Sequence, residues 1–302
     1  MTSTTDVRRA RARAGASSGR PGLLFVAPAA ITVLALFVVP LGILAAMSFA
    51  DWPLLGSPTF TGVDNYVAIA GDDRFLGSLV FTLVYTALTT VALFGLSVVL
   101  VGISNAPRRG ARLYRTAYFL PYVIGTATAT LMWLVNYNDQ VGIYPHALRS
   151  IGLAEGSVGF LASPTGALYS VIAMVTWKFI GFQVIVLLVG LQSIPPELYE
   201  AARCDGANAL QRLRFITIPQ LRPTIALLVI LSVTGSLLAF EQFFIMTQGG
   251  PDNSTITMVM SIYNTAFTAY DLGRAAALSI TLLVALVAIN VVQLNVLKER
   301  DR

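Results

Sequence analysis

The chain has 302 residues, 56% of them apolar and only 12% charged, with a mean hydropathy of +0.73. Soluble domains carry about twice that charged fraction, and so much apolar surface would leave large greasy patches in water; a soluble enzyme is excluded. The formal net charge is +5 and the pI about 9.5. A single cysteine, Cys204, rules out an internal disulfide and offers no metal-site spacing. The lone histidine, His146, falls in a predicted loop.

A membrane-crossing helix needs about 20 mainly apolar residues, because the hydrocarbon is about 30 Å thick and each residue rises about 1.5 Å. Residues 1–20, rich in Ser, Thr, Ala and Arg, read as a disordered basic cytoplasmic tail before a transmembrane domain of residues 21–302. Six apolar stretches follow: Leu23 to Met47, Leu79 to Ile103, Thr116 to Tyr137, Ala167 to Leu191, Thr224 to Met246 and Ala275 to Leu297. The first is too long for a signal h-region and no small-residue cleavage site follows it, so it reads as a retained span. Lys178 stands within the fourth stretch and Glu241 within the fifth; the other four hold no charge. Continuous apolarity at twice the length of a barrel strand makes these helices. The expected fold is all-α and polytopic, with six transmembrane helices.

Sixteen of the 20 Lys and Arg residues lie in the N-terminal tail, in the second-to-third and fourth-to-fifth connections, and at the C-terminus. Only Arg74, Arg149 and Arg274 fall in the alternate connections. The positive-inside bias predicts that both termini are cytoplasmic, and the basic pI reflects topology rather than nucleic acid.

The connection Gln192 to Pro223 is too long for a simple turn. Pro195 and Pro196 close the fourth span and can open a new helix, predicted over Glu197 to Asp205, with Glu197 and Glu200 near its positive end. Leu198, Ala201 and Ala202 make one smooth, small apolar stripe. Gly206 supplies a turn or a close backbone approach, and a second short helix is predicted over Asn208 to Phe215, before Pro219 and Pro223. A lipid-binding face would carry Trp, Phe or several Leu; this stripe is mostly alanine and suits close protein contact. The connection reads as a cytoplasmic helix–turn–helix between the fourth and fifth spans.

Glu200-Ala201-Ala202, three residues, Gly206, nine residues, then Ile216-Thr217-Ile218-Pro219 resembles the EAA loop of ATP-binding-cassette (ABC) importer permeases, with Ile218 standing for the family's leucine. Gly249-Gly250-Pro251 with Ser254-Thr255, Trp177-Lys178, Gly190 to Pro195, and Phe119-Leu120-Pro121 are similar to elements of the carbohydrate (maltose and glycerol-phosphate) subfamily. Within it the chain resembles the larger maltose-permease-type subunit without its extra N-terminal spans and outer domain. The resemblance implies a permease subunit that translocates a sugar or sugar-like solute by alternating access in a prokaryotic plasma membrane. It implies a second permease subunit forming a heterodimer, two ATPase subunits that use ATP and Mg, an extracytoplasmic solute-binding protein and surrounding lipid. It implies no nucleic acid partner, no cofactor on this chain and no enzymatic activity of its own. No Walker A loop is present, since neither lysine, Lys178 or Lys298, follows a glycine. The coupling residues carried over are Glu197, Glu200, Ala201, Ala202, Asp205, Gly206, Ile216 and Pro219.

For the solute path, sugars pair with aromatic faces, amides and hydroxyls. Trp133, Asn136, Tyr137, Trp177, Lys178, Phe240, Glu241, Gln242 and Phe244 supply that inventory in or beside the spans. Lys178 and Glu241 stand at similar depth on sequential spans, which permits an ion pair as well as contact with solute. The outer connections, Ser48 to Ser78, Asn138 to Gly166 and Thr247 to Arg274, are expected to face the solute-binding protein. The residues also leave open a cargo such as a polyamine or phosphonate, and a stand-alone secondary transporter.

Overall fold

The computed structural model describes residues 19–104 and 111–298. The predicted tail through residue 18, Arg108, Arg109, Arg300 and Arg302 lie outside the described residues. In chain order, α1 (Gly19–Val33), a π-helical turn (Leu34–Val38) and α2 (Val39–Met47) form one rod, which takes in the last two positions of the expected tail. A two-residue ladder follows, β1 (Ala50–Asp51) antiparallel to β2 (Thr59–Phe60), where the all-α expectation fails: Pro53, Gly56 and Pro58 turn the chain back on itself. Next come α3 (Asp64–Ala70), α4 (Asp73–Ser104), α5 (Ala111–Val123), α6 (Thr126–Tyr137) and α7 (Ile143–Ser150). His146 sits on α7, a helix, where a loop is expected.

The second half runs α8 (Pro164–Gln192), α9 (Pro196–Cys204), α10 (Ala209–Arg212), a second π turn (Leu213–Thr217) and α11 (Ile218–Leu237). It ends with α12 (Glu241–Met246), α13 (Met258–Tyr263), a third π turn (Asn264–Thr268) and α14 (Leu272–Lys298). Pro40 and Pro219 each stand two residues beyond a π turn. Proline lacks an amide proton and its ring crowds the carbonyl four residues back; the wider turn relieves both. Asn208 to Leu237 is therefore one continuous arm rather than a short helix followed by a span.

Among the described residues, five helices are long and apolar enough to cross a membrane: Phe25–Met47, Asp73–Ile103, Pro164–Gln192, Ala209–Leu237 and Leu272–Asn295. The third predicted span is not one helix. Leu113–Val123 and Thr126–Tyr137 meet the test only as a pair and bend by 100° at their junction. Gly125, at φ −56 and ψ 144, leaves the helical region there, and Pro121 has already weakened the preceding turn. The fifth predicted span, Thr224 to Met246, also divides, because α11 ends at Leu237 and α12 starts at Glu241, with Phe240 at φ −137 and ψ −64 between them.

Helix α8 forms the buried centre, packed on α4 and α5. Its Gly181 lets the backbones meet: an added Cβ would lie 1.9 Å from the Tyr118 carbonyl oxygen. Phe243 of α12, fully buried, sits edge-on to Phe81 at 5.3 Å and Tyr85 at 4.9 Å, tying α12 to α4. At one end of the bundle Arg274 of α14 pairs with Asp72 at 2.5 Å, and Arg149 pairs with Asp139 in the α6–α8 connection. The Val158 amide donates to the same Asp139 carboxylate at 2.8 Å and is the main cause holding its pKa below the ordinary carboxylate value.

Candidate functional site: a cavity at two helix breaks and an exposed elbow

Backbone that leaves the helix at membrane depth exposes carbonyls that must find partners. At the α5–α6 break, Lys178 supplies them. Its side chain is only 4% exposed, and its ammonium donates to the carbonyls of Tyr122, at 3.4 Å, and Ile124. A cation also suits the negative C-terminal end of α5, and the Phe179 ring lies 5.1 Å from the ammonium. The direct ion pair with Glu241 that the sequence permits does not form among the described residues: the ammonium donates to the helix end instead. At the α11–α12 break, the buried Thr257 hydroxyl donates to the Ala239 carbonyl at 2.7 Å.

Both breaks open onto one cavity of about 580 Å³ between α4, α5, α8 and α11. Tyr122 and Phe182 stack at 4.9 Å with 13° between their planes, and both line it with Phe179 and Phe240. Gln183 lines it too, and its amide nitrogen has no partner among the described residues. Gln242 donates to the Tyr85 hydroxyl at 3.2 Å across the wall. Ser232, Gly235 and Ser236 give α11 a small, polar lining face, and Glu241 reaches the cavity exposed.

Of the expected path residues, Phe240, Glu241 and Gln242 line this cavity and the others do not. Trp133, Tyr137 and Trp177 belong to an aromatic cluster: Trp133 is 5.5 Å from each of the other two rings, and the Tyr137 hydroxyl donates to Ser170 O. Asn136 donates back to Met132 O of its own helix. Phe244 stacks on Phe240 at 5.0 Å, outside the cavity. Lys178 stands behind the wall. The sequence reading missed Tyr85, Tyr122, Phe179, Phe182, Gln183, Ser232 and Ser236. Two signals were available: Gln183 is the one amide in the fourth apolar stretch, and Ser232, Gly235 and Ser236 share a helical face at i, i+3, i+4.

The EAA segment folds into α9 and its turn. Gly206, at φ +76, is the left-handed residue of a Schellman cap: the Ala207 amide donates to Ala202 O at 2.8 Å and the Gly206 amide to Arg203 O at 3.0 Å. Nothing lies within 4 Å of its missing Cβ, so Gly206 serves the turn and not a close approach within this chain. Asn208 and Gln211 form a capping box that starts the next helical arm. The Tyr199 hydroxyl bonds the Thr217 hydroxyl at 3.0 Å, fastening α9 to the base of α11. Glu197, Glu200, Ala201, Asp205 and Gly206 are exposed; Ala202, Ile216 and Pro219 are half-buried. Leu210 and Phe215 project from the same elbow, 72% and 69% exposed.

A bundle of long apolar helices, interrupted where they enclose a cavity, is the architecture of a multi-pass membrane transport protein. Residues 98–300 match the binding-protein-dependent transport system inner membrane component family, and the chain belongs to that family. It is the permease component of an ABC importer, a transport component rather than an enzyme. The multiple sugar-binding transport system permease protein MsmF of Streptococcus mutans is 30% identical over 279 residues, covering 92% of this chain and 95% of that one. The sn-glycerol-3-phosphate transport system permease protein UgpA of Agrobacterium fabrum is 32% identical, covering 92% and 94%. A crystal structure of a bacterial ABC transporter involved in importing the acidic polysaccharide alginate superposes with a TM-score of 0.81 at 25% identity, covering 93% of this chain and 96% of that one.

Proposed function

We propose that the chain carries a saccharide or sugar-like solute through the cavity at the two helix breaks, driven by separate ATPase subunits seated on the exposed α9 elbow. The chain crosses the membrane six times in this reading, the bent α5–α6 pair counting once, with both termini and the elbow in the cytoplasm. The arginines around the elbow support that orientation. The names of MsmF and UgpA support the solute class, as does the lining: aromatic faces beside amides and hydroxyls match the mixed surface of a sugar.

The observation that carries the coupling role is mechanical. A glycine-capped helix with small exposed residues, Ala201 among them, is bonded through Tyr199 to an uninterrupted arm that reaches the cavity at Ser232 and Ser236. Displacing α9 therefore moves one wall of the cavity. Closure of an ATPase pair, using ATP and Mg bound to those subunits, would switch the cavity between inward and outward access. A second, non-identical permease subunit completes the path, and an extracytoplasmic solute-binding protein delivers the solute to the outer connections.

Cys204, the single cysteine and exposed on α9, permits a direct test. A short bifunctional reagent on Cys204 should join this chain to an ATPase subunit in the assembled importer, with a yield that changes between ATP-bound and nucleotide-free states. No such product in any nucleotide state would refute the coupling role.

A further inference from the structure

We propose that Glu241 sets the charge class of the solute, so that the cavity takes neutral or amino-bearing saccharides and turns away phosphorylated and uronic-acid ones. This rests on the reading of the cavity as the solute site. Among its lining residues Glu241 is the charged one; the remainder are aromatic, aliphatic, hydroxyl or amide, and no Lys, Arg or His contributes. An anionic sugar held by this wall would have to leave water for a surface with a carboxylate and no cation facing it.

Lys178 does not reverse that sign. It interacts with Glu241 electrostatically, yet it does not line the cavity, and its ammonium is spent on the Tyr122 and Ile124 carbonyls. The Glu241 carboxylate, in contrast, is exposed and makes no hydrogen bond or ion pair among the described residues. It stands in the first turn of α12 with no counter-ion in contact among the described residues. A free carboxylate accepts hydrogen bonds from sugar hydroxyls and pairs with a protonated amino sugar.

The test uses the complete importer in lipid nanodiscs, without solute-binding protein, and three trisaccharides of matched length: maltotriose, the glucosamine trimer and trigalacturonate. Equilibrium binding of each labelled sugar is measured for the wild type, Glu241→Gln and Phe240→Ala. The wild type should bind maltotriose and the glucosamine trimer at least about tenfold more tightly than trigalacturonate. Glu241→Gln should shrink the ratio of glucosamine-trimer to trigalacturonate affinity by about tenfold or more. Wild-type preference for trigalacturonate, or an unchanged ratio in Glu241→Gln, overturns the charge assignment while leaving the cavity in place. Disassembly of the Glu241→Gln complex also overturns it, because the carboxylate would then serve subunit contact. Failure of all three sugars to bind, or unaltered binding by Phe240→Ala, overturns the cavity reading itself.

Discussion

Replacing Lys178 by Met separates two accounts of a buried charge, because it keeps the side-chain length and removes the ammonium. In the structure that ammonium serves the Tyr122 and Ile124 carbonyls at the end of α5. Leaving a buried acceptor unpaired costs about 1–3 kcal/mol, so two such carbonyls predict a loss of about 2–6 kcal/mol. Unfolding of the purified chain in mixed micelles, followed by helix signal against SDS fraction, reads this directly. Glu241→Gln by itself should change stability by less than about 1 kcal/mol, and the two changes should couple by no more than about 1 kcal/mol, since the charges are not in contact. Lys178→Arg should recover part of the loss, because a guanidinium still donates to carbonyls. If Glu241→Gln destabilises as much as Lys178→Met, and the double variant is no worse than either, the two residues are an ion pair. The helix-end account then fails.

Gly206→Leu places a side chain at φ +76, a strain of about 1–2 kcal/mol confined to the α9 turn. Transport should fall steeply while membrane abundance stays near wild type, measured as labelled-solute uptake per copy of complex. Gly181→Ala should be far more damaging to folding, because its methyl would fall 1.9 Å from the Tyr118 carbonyl and push α5 off α8; the amount of chain recovered from membranes should drop severalfold. The Asp139 carboxyl, held low chiefly by the Val158 amide and also by Arg149, ties residue 158 to the end of α6. A pKa lowered by folding contributes stability that is complete above the unfolded value of about 3.9 and is lost as pH falls through the folded value. The protection of the Val158 amide, its exchange rate set against the intrinsic rate at the same pH, should thus be high at neutral pH and fall in acid below about pH 4, and Asp139→Asn should lower it throughout.

The helices and the elbow were readable in one dimension. Hydropathy located Leu79 to Ile103, Ala167 to Leu191 and Ala275 to Leu297 inside α4, α8 and α14, because a span is a local property of some twenty residues. The turn at Gly206 was legible for a similar reason, since a helix-capping glycine acts through neighbours a few residues away, whereas the spacing from Glu200 to Pro219 reads as a resemblance to a family pattern. Hydropathy could not show that the third and fifth stretches are broken. Thr116 to Tyr137 is apolar enough for a straight helix, and so is Thr224 to Met246. The breaks persist because side chains distant in sequence satisfy the freed carbonyls, Lys178 at Ile124 and Thr257 at Ala239.

The same distance explains the mixed outcome for the solute path. Aromatic identity alone could not separate Trp133, packed on Tyr137 and Trp177, from Tyr122, which faces the cavity. The amino-acid order by itself determined how many apolar stretches exist, where the basic residues gather and which segment forms a glycine-capped elbow. Tertiary structure alone decided where helices give way, which lysine closes the gap and which rings border the void. A carbonyl freed from its helix is stable only where another element brings it a donor.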